Sequence, residues 1–265
     1  MKYQLGFIGC GNMGSALIRA AAQTVECDRI AVCDHNQQKT ETLVSDLGVH
    51  ALSAQEIAQN AEFVILGVKP QVMKETVSTI AEELCARESV TLVTMAAGLT
   101  ITSIRSFVGK NVPVIRIMPN TPVALGVGMI LYSAESVSRE TEEEFLTAFS
   151  KAGVFDSLPE EQIDAGCALS GCGPAFIYAF AQALADGGVK CGLSQEKAAL
   201  YAAQTLRGAA DMLLEYGNPE ALKNAVCSKG GATIEGVRHL EKNDLHAVTV
   251  GAIQAAYRRT LELKK

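Results

Sequence analysis

The stretch YQLGFIGCGNMG, residues 3–14, decides the fold of this chain. Tyr3–Ile8 is a short apolar run typical of a strand, and Asn12–Gln23 has Ala, Leu and Ile at helical spacing. Between them, residues 9–14 follow the pattern GxGxxG. In that setting the first glycine permits a tight turn, the second lets a diphosphate approach the backbone, and the third lets the helix pack on the strand. The stretch predicts a dinucleotide-binding unit, with a plain turn as the alternative.

Similar alternation continues to about residue 158. Strands are predicted at Ile30–Cys33, Phe63–Val68, Val90–Met95 and Val112–Met118, with helices at Gln37–Leu47 and Met73–Leu84. Continuous apolar strands separated by helices are typical of a parallel sheet covered on both faces. The pattern therefore predicts a doubly wound, Rossmann-type α/β domain over residues 1–159.

The pattern changes at Leu158-Pro159-Glu160, beyond which no strand is predicted. Helices are expected at Pro174–Asp186, Ser194–Glu215, Pro219–Cys227, Thr233–Glu241 and Asp244–Leu263, with Ser194 as an N-cap and Gly217 as a stop signal. Residues 160–265 are thus predicted to be all-helical. Several helices are apolar on more than one face, which favours a subunit interface over a single buried central helix.

Composition argues against several classes of function. The net charge is −6 and no cluster of Lys or Arg is present, so nucleic acid is an unexpected partner. No apolar run approaches the ~18–20 residues that span a bilayer, since the longest, Phe176 to Ala185, already contains Gln182. Because the N-terminal apolar stretch is broken by glycines, it does not resemble a signal peptide. We expect a cytoplasmic protein without membrane segments.

Eight cysteines and four histidines are present, at irregular spacing and without a CxxC pair. We expect reduced, mostly buried thiols and no metal site.

Asp34 ends the second predicted strand, where an acidic residue accepts hydrogen bonds from the adenosine ribose hydroxyls. A carboxylate there repels a 2′-phosphate, because like charges ~4 Å apart cost about 4 kcal/mol at an effective dielectric of 20. His35 and Lys39 are the nearest basic side chains in sequence, and no Arg stands beside them. Asp34 therefore favours NAD(H), unless it is a solvated turn residue.

Six segments together resemble the pyrroline-5-carboxylate reductase family, over essentially the whole chain. They are Gly6–Gly14, Val68–Pro70, Met118–Pro122, Leu169–Ala175, Ala185–Val189 and Ser228–Ile234. The resemblance implies reduction of 1-pyrroline-5-carboxylate to L-proline by NADPH or NADH, the last step of proline biosynthesis. It also implies a Rossmann domain, a helical dimerisation domain and assembly of dimers into larger rings.

The resemblance also implies roles for individual residues. The cofactor would be bound by Ile8, Gly9, Cys10, Gly11, Asn12, Met13, Asp34, Val68, Lys69, Pro70, Met95, Ala96, Ala97 and Asn120. Met95, Ala96 and Ala97 would lie beneath the nicotinamide. The substrate would be bound by Ser228, Gly230, Gly231 and Thr233, of which Thr233 would hydrogen-bond the ring nitrogen as the catalytic residue.

Three positions depart from the family pattern. Lys229 stands where many members have Pro, and Cys172 stands where many have a hydroxyl residue. Asp34-His35 replaces a Ser, Thr or Asn-Arg pair that suits a 2′-phosphate, which leaves the choice between NADP and NAD open.

Imine reduction suits these residues, because the cofactor supplies the hydride and the protein supplies orientation and electrostatics. The Thr233 hydroxyl can hydrogen-bond the imine nitrogen and help deliver a proton, and glycine amides before a helix can bind a carboxylate. Simpler interpretations exist: Thr233 as a helix N-cap, Asn120 in a plain turn, and Lys69 as a solvated charge.

Two other functions compete. A β-hydroxyacid dehydrogenase would need a Lys four residues before an Asn on a helix, and Pro174–Asp186 contains neither. A non-catalytic dinucleotide-binding redox sensor would bind the cofactor without turnover.

Overall fold

The computed structural model describes residues 2–262, which divide into two compact units. The first unit contains residues 2–171 and 257–262, and the second contains Cys172–Ala256. The two units differ in secondary structure, since every strand of the described residues lies in the first.

The first unit is built on one eight-stranded sheet of order β3-β2-β1-β4-β5-β6-β7-β8. Its strands are β1 (Tyr3–Ile8), β2 (Ile30–Cys33), β3 (His50–Ala51), β4 (Ala61–Leu66), β5 (Thr91–Thr94), β6 (Val114–Met118), β7 (Gly128–Glu135) and β8 (Gly153–Ser157). Strands β1 to β6 are mutually parallel, whereas β7 pairs antiparallel with β6 and parallel with β8. The connection from β6 to β7 is short and carries no α-helix, so the chain turns back on itself as antiparallel neighbours can.

Eight helices of the first unit accompany the sheet. They are α1 (Asn12–Ala21), α2 (Gln37–Leu47), α3 (Ala54–Asn60), α4 (Pro70–Ser78), α5 (Ala81–Ala86), α6 (Ile101–Val108), α7 (Arg139–Ala148) and α8 (Glu160–Ser170). Two separate apolar clusters are buried, one around Phe7, Phe63 and Phe145 and one around Val64 and Leu66. Since Phe63 and Val64 alternate along β4, the clusters lie on opposite faces, and the predicted doubly covered sheet is confirmed.

The predicted single helix Met73–Leu84 was wrong in both its start and its continuity. The helix begins at Pro70, whose fixed φ suits the first helical position, and it ends at Ser78 before a separate helix α5. Helices α3, α6, α7 and α8 and strands β3, β7 and β8 lie in segments for which no element was predicted. Helix α6 could have been found, because its Ile101, Ile104 and Val108 recur at helical spacing.

Helix α8 packs with the sheet, although the predicted boundary at residue 159 placed it in the second domain. Its Ile163 is buried against Met118 and Leu131 of the sheet. Its Asp164 pairs with Arg116 of β6 at 2.7 Å. The packing therefore carries the first unit through Gly171.

The second unit confirms the all-helical prediction. Its helices are α9 (Gly173–Lys190), α10 (Gln195–Tyr216), α11 (Pro219–Val226) and α12 (Ala232–Lys242), followed by α13 (Leu245–Glu262), whose residues from Tyr257 onward belong to the first unit. Ser194 caps α10 by accepting a hydrogen bond from the Lys197 amide, and Gly217 ends it at φ 65°, both as predicted.

The core of this second unit is small. Its only described buried apolar side chains are Ala185, Ala198 and Ala202. Large apolar side chains nearby remain in solvent, among them Leu200, Tyr201, Leu214, Val226 and Val248. Such a surface is typical of a helical unit whose core is completed by another chain.

The stretch Glu160–Lys190, which contains α8 and α9, is long and apolar enough to cross a membrane by length and composition. The sequence expectation concerned uninterrupted apolar runs only, so it did not find this stretch. A single stretch of this kind is weak evidence for a membrane segment.

The cysteines are less buried than predicted. Only Cys10 is buried, Cys85 and Cys191 are exposed, and the others are intermediate; no disulfide joins any of the eight, all of which lie within the described residues. Across residues 2–262, no group of three or more His, Cys, Asp or Glu side chains is placed to hold a metal ion.

Candidate active site

The glycine turn between β1 and α1 is held in place by hydrogen bonds to its neighbours. The Gly9 amide donates to the Cys33 carbonyl at 2.8 Å, which anchors the turn to β2. The Ser15 hydroxyl donates to the Cys10 carbonyl at 3.0 Å, which anchors it to the first turn of α1. Gly11 is the N-cap residue, and no described side chain caps the helix. The first amides of α1 are therefore available to an anion.

Each glycine of the turn answers a different steric demand. Gly9 has φ 106°, and a Cβ there would lie 2.6 Å from the carbonyl carbon of Gly67. A Cβ on Gly14 would overlap the Gly9 carbonyl oxygen. A Cβ on Gly11, in contrast, would meet nothing within 4 Å. Gly11 therefore keeps a surface open, which is what close approach of a diphosphate requires, and the residues present fit a dinucleotide.

Asp34 is not the solvated turn residue considered as an alternative, because its side chain is only 4% exposed. One carboxylate oxygen accepts the Cys10 amide at 2.7 Å, and the other accepts the Asn36 amide at 2.9 Å. His35 Nδ1 lies 3.2 Å and Lys39 Nζ 4.0 Å from that second oxygen. Asp34 thus connects the glycine turn to the end of β2, and the nearby Lys39 partly neutralises its negative charge.

The Cys10 thiol lies in this turn and is expected to be unreactive. Burial, followed by the nearby Asp34 carboxylate, raises its pKa to about 12. A thiol with that pKa stays protonated at neutral pH, and the thiolate is the reactive form. Cys10 is a packing residue in the turn.

The remaining predicted cofactor residues follow the carboxyl ends of adjacent parallel strands. Ile8 of β1 is in register with Leu66 of β4, and Leu66 is in register with Thr94 of β5. The segments that follow these residues therefore share one edge of the sheet. The chain order reverses between β1 and β4, the switch point at which open α/β sheets bind their ligands. The structure brings Gly9, Val68 and Met95 to that edge.

These residues differ in exposure. Lys69 is exposed and is the N-cap residue of α4, while Val68 and Pro70 are half-buried. Ala96 is buried, with exposed Ala97 after it. Val68 and Pro70 thus leave part of their surface at this edge for a ligand.

Asn120 has a more specific place than a plain turn. It follows β6 and is 9% exposed. Its side-chain oxygen accepts the Met129 amide at 2.9 Å, and its Nδ2 donates to the Ser170 carbonyl at 3.0 Å. The side chain therefore joins β6, β7 and the end of α8, and the cofactor contact of Asn120 stays a prediction.

The predicted substrate residues form a local loop in the second unit. Gly230 has φ 76°, and the Gly231 amide donates to the Ser228 carbonyl at 3.0 Å. Gly231 is the N-cap residue of α12, so the alternative that made Thr233 the N-cap was wrong. Thr233 is exposed, and its hydroxyl has no hydrogen bond to the described residues. The loop offers uncapped amides and a hydroxyl at the start of a helix.

The sequence reasoning missed a buried charged cluster at the same sheet edge. Arg116 of β6 is fully buried and pairs with Glu160 at 3.1 Å and with Asp164 at 2.7 Å. The signal was an Arg inside the apolar strand Val114–Met118, because a buried guanidinium needs acidic partners.

Comparison with known proteins identifies the family. A family model for pyrroline-5-carboxylate reductase dimerisation matches residues 160–263, and one described as NADP oxidoreductase, coenzyme F420-dependent, matches residues 4–98. Pyrroline-5-carboxylate reductase 3 of Danio rerio is 37% identical over 267 residues, which cover 99% of this chain and 92% of that protein. The pyrroline-5-carboxylate reductase of Escherichia coli (strain K12) is 35% identical over 270 residues, covering all of both chains. The chain belongs to the pyrroline-5-carboxylate reductase family.

Solved structures of this reductase family share the whole fold. The pyrroline-5-carboxylate reductase of Coxiella burnetii matches with a TM-score of 0.92 at 30% identity, covering all of both chains. The pyrroline carboxylate reductase of Plasmodium falciparum, solved with NADP bound, matches with a TM-score of 0.88 at 28% identity, again over both full chains. The dimerisation model begins at residue 160, so α8 belongs to that family segment in sequence while it packs with the sheet.

We expect Asp34→Asn to raise the ratio of kcat/KM with NADPH to kcat/KM with NADH about tenfold. The change removes a negative charge that opposes a 2′-phosphate, and Lys39 at 4.0 Å already offsets part of that repulsion. The Asn oxygen can still accept the Cys10 amide. Steady-state kinetics with both cofactors measures the ratio.

Asp34→Ser is the matched variant for the same charge. Its shorter side chain cannot keep the 2.7 Å hydrogen bond from Cys10, so use of NADPH improves relative to NADH while affinity for both falls. Unchanged selectivity in both variants would remove Asp34 from cofactor discrimination.

Proposed function

We propose that this protein reduces 1-pyrroline-5-carboxylate to L-proline with NADPH or NADH. The observation that carries the proposal is the open glycine turn at the sheet's switch point, in a chain that is related over its full length to pyrroline-5-carboxylate reductases. The reduced cofactor supplies a hydride to the carbon of the C=N bond, and a proton is added to the ring nitrogen. The product is the secondary amine of L-proline.

The cofactor's diphosphate binds at the N-terminus of α1, and Gly11 allows it to approach the backbone. Asp34 accepts hydrogen bonds from the adenosine ribose, using the lone pairs that Cys10 and Asn36 leave. Val68 and Pro70 flank the cofactor where they follow β4, and Met95, Ala96 and Ala97 support the nicotinamide where they follow β5.

The substrate is bound by the loop before α12. The Gly230 amide and the first amides of α12, which follow the N-cap residue Gly231, bind the carboxylate, while the Gly231 amide closes the turn by donating to the Ser228 carbonyl. Thr233 donates its hydroxyl to the ring nitrogen and passes a proton to it, directly or through water. The Thr233 hydroxyl has no hydrogen-bond partner among residues 2–262, so it is free to take that role.

One assay tests the proposal. Purified protein with 1-pyrroline-5-carboxylate and either NADPH or NADH should consume the reduced cofactor and form L-proline in equal amounts. The loss of reduced-cofactor absorbance measures the first, and amino-acid analysis measures the second. Absence of turnover with both cofactors would reject the function. Cofactor binding without turnover would favour the redox sensor instead.

The competing dehydrogenase chemistry lacks its catalytic pair. Helix α9 extends to Lys190, further than the predicted helix, so a Lys is present after all. The residue four positions later is Ser194 rather than Asn. The helix therefore does not supply the Lys and Asn that deprotonation of an alcohol requires.

The active form is proposed to be a homodimer or a ring of dimers in the cytoplasm. The exposed apolar side chains of α10, such as Leu200, Tyr201 and Leu214, support pairing through the second unit. Eight cysteines without a disulfide suit a reducing compartment. Neither nucleic acid nor a membrane is proposed as a partner.

A further inference from the structure

Arg116, Glu160 and Asp164, here termed the Arg116 cluster, form a buried group of charges at the carboxyl edge of the sheet. Arg116 donates from Nη1 to Glu160 Oε1 at 3.1 Å and from Nη2 to Asp164 Oδ1 at 2.7 Å. The side chains of Arg116 and Asp164 are 0% and 1% exposed, and that of Glu160 is 18% exposed. A cluster with this burial is held in a single geometry, because an alternative placement would leave a charge without a partner.

Glu160 has a second hydrogen-bond partner, directly after the loop that is proposed to support the nicotinamide. The oxygen that accepts from Arg116, Oε1, also accepts the Ile101 amide at 2.8 Å. Ile101 is the first residue of α6, so this bond closes the loop formed by residues 95–100 at its far end. Thr100 caps the same helix by accepting the Ser103 amide at 3.1 Å. The Glu160 carboxylate and the Thr100 hydroxyl thus fix the position at which the loop ends and α6 begins.

The other end of this loop is also fixed beside the cluster. Thr94, the last residue of β5, is in register with Arg116. The Thr94 hydroxyl accepts the Ala96 amide at 3.4 Å. The loop therefore begins beside Arg116 of β6. It ends at Ile101, whose amide donates to the Glu160 carboxylate that Arg116 also binds. Its backbone path between these points depends on the position of Glu160.

We propose that Glu160, oriented by Arg116, is a positioning residue for hydride transfer, because it sets the backbone of residues 95–100 beneath the nicotinamide. The inference rests on the proposed function. Hydride transfer needs the reacting carbons at about 3–3.5 Å, and a misplacement near 1 Å can cost about a hundredfold in rate. Asp164 accepts from the other terminal nitrogen of the same guanidinium, Nη2, at 2.7 Å and so helps to hold Arg116 in place.

The test removes the Glu160 carboxylate or replaces it with an amide. Glu160→Ala should lower kcat about tenfold, change the KM for the cofactor less than about twofold, and raise the primary isotope effect with deuterated cofactor, because the hydride step slows. Hydrogen–deuterium exchange of the peptide over residues 95–104 should accelerate at the Ile101 amide. Glu160→Gln keeps an oxygen acceptor and should restore most of both properties.

Glu160→Gln is the matched control within the cluster, and Thr24→Val is the remote one. Asp164→Asn perturbs Arg116, so it should change the isotope effect and the exchange of the loop in the same direction as Glu160→Ala, but to a smaller extent. Thr24→Val removes a 2.6 Å hydrogen bond to the Ala148 carbonyl, at the far end of α1 from the glycine turn, and should change thermal stability alone.

The outcomes separate this inference from the proposed function. An inactive unaltered protein would reject the function, while the exchange of residues 95–104 would still report on the Glu160 anchor. An active protein whose Glu160→Ala variant keeps its kcat and isotope effect would overturn the inference. A Glu160→Gln variant as impaired as Glu160→Ala would also overturn it, because Gln keeps an oxygen acceptor for the Ile101 amide.

Discussion

Gly11→Ala is expected to fold normally and to bind the reduced cofactor about a hundredfold more weakly. A Cβ at this position meets no protein atom within 4 Å, so the folded state accepts it. The same methyl group occupies the surface that the diphosphate needs, and a loss near 3 kcal/mol corresponds to about a hundredfold in Kd. Fluorescence titration with NADPH and NADH measures the affinity, and thermal unfolding measures the stability.

Gly9→Ala is the informative contrast two residues earlier in the same turn. Its φ of 106° and its approach to the Gly67 backbone at 2.6 Å penalise any side chain. This variant should lose thermal stability together with cofactor affinity, whereas Gly11→Ala should lose affinity alone, apart from up to about 1 kcal/mol for a poorer N-cap. Normal cofactor affinity in Gly11→Ala would show that the turn does not bind the diphosphate.

Thr233→Ala is expected to lower kcat/KM for 1-pyrroline-5-carboxylate about a hundredfold and to leave cofactor affinity unchanged. Positioned proton donors contribute about 10²–10⁴-fold, and removal of the Thr233 hydroxyl leaves the imine nitrogen to be protonated by water. The residue lies at an exposed position in the first turn of α12, so its loss should not affect folding. Steady-state kinetics at saturating cofactor gives the value.

Two variants control for this change. Thr233→Ser keeps a hydroxyl and should retain most of the activity. Thr249→Ala removes another exposed helical hydroxyl, one that already donates to the Leu245 carbonyl at 2.7 Å, and should leave kcat/KM unaltered. Kinetics of Thr233→Ala equal to those of the unaltered protein would exclude Thr233 from the reaction.

Elements with a strong local signal were predictable from the sequence. The glycine turn, the strands β1 and β2 and the helix α10 with its two caps depend on spacing within a few residues, and their bounds agree closely with the structure. The family motifs are local in the same sense. The motif that contains Ser228 and Thr233 predicts a substrate-binding loop without any knowledge of how that loop folds.

Other features depend on which distant segments meet. β7 contains a continuous apolar run like the parallel strands, and only its pairing with β6 makes it antiparallel. Asp34 is suited to ribose binding by its position in sequence, yet its carboxylate also accepts the Cys10 amide of the glycine turn, 24 residues away. The residues near β7 and near Asp34 in sequence do not indicate either of these contacts.

The sequence by itself determined the βα dinucleotide turn, the order of sheet and helical domains, and the family, because propensity, glycine spacing and motif order act over short distances along the chain. Only the tertiary structure decided that α8 belongs with the sheet and that Glu160 reaches Ile101. The physical reason is that a buried guanidinium selects its acidic partners by sheet register and burial. Arg116 and Asp164 meet across 48 residues of chain, which no periodicity records.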